Sequence, residues 1–153
     1  MLGKTTEYAI RALVYIYLQN VEGKRPGFKE ISAEIDSPEQ FTAKVLRALT
    51  HEGIISSMKG RRGGFFFDQP ELPLPLYDIV RLLEGKKLFT KCGFGLKFCD
   101  SENPCPLHDE YSKVRETFYK MVSEKTVQTL AKKITDHQAI LSRRQNTVIE
   151  KNY

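Results

Sequence analysis

The stretch from Ser37 to Phe67 constrains this chain more than any other. Ser37-Pro38 is a helix start, with the serine as cap and proline at the first helical position, where its missing N–H costs little. Phe41, Val45, Leu46 and Leu49 then recur at helical spacing to about Glu52, and Gly53 is a stop. Residues 54–58 (IISSM) and 65–68 (FFFD) are strand-like, and the KGRRGG between them suits a hairpin turn. From Ser56 to Phe67 there are three cations, Lys59, Arg61 and Arg62, and no anion. A helix followed by a basic hairpin is half of a winged helix-turn-helix.

The upstream residues supply the other half. Residues 4–20 predict a helix, with Tyr8, Ala9, Ala12, Leu13, Ile16 and Tyr17 as its apolar face and Thr5 or Thr6 as its cap. A polar turn, Val21 to Gly27, leads to a second short helix over 28–36, with Phe28, Ile31 and Ile35 on one face. The fold class expected is mainly α, a winged helix-turn-helix with a two-stranded β wing and a long C-terminal dimerisation helix. A proline-rich connector (69–75) leads to an amphipathic helix over 76–84 that stops at Gly85. Residues 106–135 predict one long helix with a stripe of Val114, Phe118, Met121 or Val122, Val127, Leu130 and Ile134. The first four helices already account for a core, so this stripe needs another surface. The same helix of a second subunit would make a homodimer. The organisation expected is a DNA-binding domain over 1–75, a sensor loop and dimerisation helix over 76–136, and a flexible tail over 137–153. That tail reads as polar, with Arg143-Arg144 and a weakly apolar Val148-Ile149.

Composition narrows the class. With 41% apolar and 28% charged residues, the 153-residue chain has a globular balance. No apolar run approaches the roughly 18 residues needed to span a membrane. Glu7 and Arg11 interrupt the first apolar stretch, which is wrong for a signal peptide, so a cytoplasmic location is expected. A net charge of +5 suits nucleic acid but also many other proteins. There is no nucleophile elbow, P-loop or dinucleotide motif, so neither an enzyme nor a small-molecule substrate is expected.

A recognition helix presents its N-terminal half to the major groove. Glu39, Gln40, Thr42, Ala43 and Lys44 fit that placement, with Ser37 and backbone N–H groups available to phosphate. Lys29 and Arg47 extend the candidate surface. In the wing, Lys59, Arg61 and Arg62 suit phosphates or a minor groove. A solvated helix and a charged hairpin of a protein-binding module would read the same way.

The segment 86–105 has no clear periodicity and holds every cysteine: Cys92, Cys99 and Cys105, in the pattern C-x6-C-x5-C-x2-H that ends at His108. Thiolates and imidazole suit zinc or an iron–sulfur cluster. These spacings exceed those of zinc knuckles and favour a larger multi-iron centre, with Gly93 and Gly95 letting the chain curl around it. Zinc and a metal-free thiol switch remain open.

SPEQFTAKVLRALTHEGIISSMKGRRGGFFF resembles the recognition helix and wing of the Rrf2 family of bacterial regulators. KTTEYAIRAL, LYDIVRLLEG and CDSENPCPLHDEY match it too, and the resemblance covers about residues 1–135. It implies a homodimer crossing its C-terminal helices, with each winged helix on one half of a palindromic operator in double-stranded DNA. Cys92, Cys99 and Cys105 match the cluster ligands, with the first interval one residue longer than usual. His108 matches the fourth ligand of the IscR-like [2Fe–2S] members. Glu7 matches the carboxylate that the partner subunit gives in the NsrR-like [4Fe–4S] members. His108 and [2Fe–2S] are favoured. Ala43 stands where IscR-like members carry a glutamate, so their operator preference does not carry over. The function expected is a regulator sensing redox, nitric oxide or iron–sulfur status. The alternatives are a metal-free thiol or small-molecule sensor, and a cluster-bearing interaction or electron-transfer module that does not read DNA.

Overall fold

The buried face of helix α1 (Lys4–Val21) organises the chain. Ala9, Ala12, Leu13 and Ile16 recur at helical spacing and are essentially inaccessible. Helices α3 (Glu39–His51), α4 (Leu76–Glu84) and α6 (Val127–Thr135) pack around α1, and α2 (Phe28–Glu34) lies against α1 and α3. Helix α5 (His108–Glu124) packs on α4. These elements belong to a computed structural model that describes residues 1–143. Ile31 and Ile35 from the second helix, Leu46 and Leu49 from the third, and Ile79 and Val80 from the fourth complete the centre. Among the described residues no helix is long and apolar enough to cross a membrane.

The start of α1 differs from expectation. Neither Thr5 nor Thr6 caps it; Gly3 is the N-cap and has no side chain to offer. The cap comes from the last residue of α4. Glu84 Oε1 accepts from the Gly3 backbone N–H at 2.6 Å and from the Thr6 hydroxyl at 2.7 Å. Thr6 faces the fourth helix and is itself buried. The Thr6 hydroxyl first, and the Gly3 N–H second, hold the Glu84 carboxyl below its usual range.

The turn into α3 is also built differently. The second helix ends at Glu34, and Asp36 reverses the chain at φ +54°. The third helix starts at Glu39 with Pro38 at the cap position, so Ser37 is not its cap. The Ser37 hydroxyl instead pairs with that of Thr42, which also donates to the Pro38 carbonyl at 3.0 Å.

The wing is a two-stranded antiparallel ribbon, β1 (Ser56–Met58) and β2 (Gly64–Phe66), paired Ser56 to Phe66 and Met58 to Gly64. It is shorter than the sequence suggested, because Ile55 and Phe67 turn into the core. The free edge of β2 is covered from the first helix and the turn after it. Phe65 N–H donates to the Pro26 carbonyl at 2.9 Å. The Asn20 amide gives to Phe65 O at 3.3 Å and takes from Phe67 N–H at 2.9 Å, standing in for a strand. At Gly64 (φ +142°) an added Cβ would fall 2.2 Å from the Arg25 carbonyl oxygen, so this crossing requires glycine.

The single helix expected over 106–135 is two. It breaks at Lys125-Thr126, where the chain runs extended beside the proline-rich connector. Leu76 N–H donates to Lys125 O and Val127 N–H to Leu74 O, each at 2.9 Å. Thr126 and Thr129 then form a reciprocal cap for α6. The break lets Val127 and Ala131 turn onto the first helix, while Phe118 and Val122 face the fourth. The tail also begins docked: Leu141 packs on the core and the Ser142 hydroxyl donates to Glu34 O at 2.8 Å. Arg144, Val148 and Ile149 lie outside the described residues.

Replacing Glu84 by alanine should cost about 1 kcal/mol near neutral pH, the usual worth of a helix cap. A depressed folded-state pKa contributes stability above the unfolded value and loses it as pH falls through the folded one. Urea unfolding of the two proteins should therefore differ near neutrality and converge in acid.

Candidate DNA-binding surface and cysteine site

Helix α3 and the wing form one exposed surface. Glu39, Gln40, Lys44 and Arg47 are exposed along the helix, Lys29 is exposed on the second, and Lys59, Arg61 and Arg62 are exposed at the wing tip. Two expected contacts are placed otherwise. Thr42 is buried, and its hydroxyl is committed to Pro38 and Ser37, so it does not face outward. Ser37 is half-buried in the same pairing. An open groove of about 550 Å³ separates the third helix from the wing and is lined by Phe28, Ala43, Arg47, His51, Ser57 and Phe65. Arg25 was missed by sequence reasoning. Its guanidinium lies 4.1 Å over the Phe66 ring and 3.2 Å from Met58 Sδ, bracing the wing. A lone cation in a polar turn gave no signal of that contact.

The cysteine segment leaves α4 at Gly85 (φ +84°) and makes a 3₁₀ turn over Lys86–Phe89. Phe89 anchors it on Tyr77, Phe118 and Tyr119, with ring centroids 5.2, 5.9 and 5.5 Å away. The loop then runs beside the start of α5. Gly93 lies on the Tyr111 ring so closely that an added Cβ would be 2.3 Å from a ring carbon. Asp100 shapes the far end, accepting from Glu102 N–H at 2.9 Å and from the Asn103 amide at 3.1 Å.

All three cysteines are free thiols; Cys92 is buried, and Cys99 and Cys105 are half-buried. They fall into two pairs with His108. Cys92 Sγ is 3.6 Å from Cys105 Sγ, and Cys99 Sγ is 3.4 Å from His108 Nδ1. The backbone N–H of Leu96, chief among several donors around the Cys92 sulfur, lowers its pKa, while burial pushes it the other way. Among the described residues, no three His, Cys, Asp or Glu side chains gather tightly enough for a single metal ion. Glu7 sits apart on the first helix, its carboxylate 3.1 Å from Lys4 Nζ.

The sequence profile described as "Rrf2: Iron-dependent Transcriptional regulator" matches residues 2–133. The chain belongs to the Rrf2 family. It is therefore a DNA-binding winged-helix transcription regulator and not an enzyme. The HTH-type transcriptional regulator NsrR of Oceanobacillus iheyensis is 26% identical over 132 residues, covering 86% of this chain and 89% of that protein. The fold is that of CymR, the global cysteine regulator of B. subtilis, with a TM-score of 0.69 at 18% identity over 86% of this chain and 96% of CymR. IscR of T. potens matches equally well, with a TM-score of 0.69 at 19% identity over 91% of each chain.

Gly93→Ala should force the loop off Tyr111 and expose Cys92. Thiol labelling under native conditions should become several-fold faster at Cys92, and unchanged labelling would contradict the described contact.

Proposed function

We propose that this Rrf2 regulator acts as a homodimer and senses redox, nitric oxide or iron–sulfur status through a cluster on Cys92, Cys99, Cys105 and His108. The pairing of these four side chains carries the reading. A [2Fe–2S] centre takes two ligands on each iron. Cys92 with Cys105, and Cys99 with His108, are two such ligand pairs. A tetrahedral zinc site would need all four to converge on one point. The N–H groups around the Cys92 sulfur favour its thiolate, the form that binds iron. Bound there, the cluster would supply one-electron chemistry and reactivity toward oxidants and nitric oxide. The carboxylate of Glu7 remains the alternative fourth ligand, from a partner subunit.

The dimer reading rests on α5. Leu107, Val114 and Met121 are exposed at a seven-residue spacing, an apolar seam with no partner among the described residues. In this reading residues 1–75 bind DNA, 76–136 sense and dimerise, and the tail follows. Gln40, Lys44 and Arg47 would reach base edges, and Lys29, Lys59, Arg61 and Arg62 phosphates or a minor groove. The fifth helix would set the spacing of the two recognition helices, which must match about one DNA turn of 34–36 Å. A change in the loop would alter that spacing. In this reading the protein works in the cytoplasm, where its DNA partner would lie.

One observation favours a second, metal-free reading. The Cys92 and Cys105 sulfurs lie 3.6 Å apart, so a two-electron oxidant such as a peroxide, reduced to water as the two thiols lose their protons, could join them in a disulfide.

Anaerobic purification with iron and sulfide assays tests the cluster. Iron and sulfide in equal amount with a visible absorption band are expected. A colourless protein holding zinc, or no metal after reconstitution, would overturn the reading. Arg61→Ala combined with Arg62→Ala should weaken binding to a duplex selected by the wild-type protein. It should also reduce the slope of log affinity against log salt by about 4, two contacts from each subunit of the dimer. Unchanged binding would reject the wing contact.

A further inference from the structure

Three residues near the start of α5 face the cysteine loop, at the i, i+3, i+7 spacing of one helical face. His108 meets Cys99, Tyr111 underlies Gly93, and Arg115 reaches both flanks of the first cysteine interval. Its Nη1 donates to the Lys91 carbonyl at 2.8 Å, one residue before Cys92. Its Nη2 donates to Cys99 Sγ at 3.7 Å. Among the described residues no ion pair claims Arg115, so its charge is not neutralised by a neighbouring carboxylate.

We propose that Arg115 is a positioning residue of the sensor: its guanidinium ties both ends of the Cys92–Cys99 loop to the fifth helix and holds a cation against the Cys99 sulfur. The inference rests on the cluster reading above. A guanidinium suits the task because its rigid fork offers two donors at once and it does not lose its proton. A lysine ammonium keeps the charge but lacks the fork. A cation donating to a ligand sulfur draws electron density from the centre and stabilises the more negative, reduced state. Arg115 also follows Val114 directly, a member of the exposed seam. Movement of the loop would therefore pull on the helix at the proposed subunit contact.

The test compares wild type, Arg115→Gln and Arg115→Lys as full-length proteins. In metal-free protein, amide hydrogen exchange over residues 92–99 should be several-fold faster in both variants. In cluster-loaded protein, the midpoint potential should shift negative in Arg115→Gln and return toward wild type in Arg115→Lys. Wild-type exchange in Arg115→Gln overturns the proposal. Faster exchange with an unchanged potential makes Arg115 a mere scaffold residue and also overturns it. A wild-type protein that takes up no cluster refutes the site reading instead, is recognised by its missing absorption, and leaves hydrogen exchange to decide the tie.

Discussion

Burial of one face of α1 is the constraint on which the rest of the molecule depends. Fully burying a side chain such as Leu13 or Ile16 contributes roughly 1.5–3 kcal/mol. Helices α3, α4 and α6 all take part in that burial, so the helix beside the wing and the helix that leads into the cysteine segment share one foundation. Polar contacts then set their angles. Arg11 donates to the Ile35 carbonyl at 2.8 Å and Tyr15 donates to Glu30 at 2.7 Å, holding the second helix against the first. Each contact acts at the rim of the core, where directional bonds fix orientation without an unpaired buried group.

The two ends of α1 serve different parts. Its N-terminus is capped by Glu84, the residue just before the chain turns into the cysteine segment. Its C-terminal turn holds Asn20, whose amide grips the second wing strand. A buried helix thus spans from the start of the cysteine segment to the wing. Interfaces of this packed kind have discrete arrangements rather than a continuum, so the proposed sensing would need the helix to move between such arrangements.

Much of this was legible in the sequence because it is local. The Gly85 stop, the apolar stripes, the Gly-rich wing and the cysteine trio each announce themselves within a few residues. What escaped is non-local or chemically ambiguous. Thr126 looks like any polar residue on a helix, and only the Leu76 and Leu74 backbone reveals why the helix breaks there. Ser37-Pro38 carries the marks of a cap, yet the serine hydroxyl found a better partner in Thr42, which buried a residue expected to face DNA. The cysteines were visible, but their division into pairs and the reach of Arg115 depend on contacts across 9 to 24 positions.

The Asn20 grip has a consequence for the order in which the molecule comes apart. A ribbon of two three-residue strands lacks the pairing to persist alone. The wing therefore has no folding unit of its own; it borrows one from the end of the first helix and the Lys24–Pro26 segment. Fraying of that helix end by a single turn would release the ribbon as a whole. Whatever the wing contributes to DNA binding, as proposed for Arg61 and Arg62, would then be lost well before the core melts.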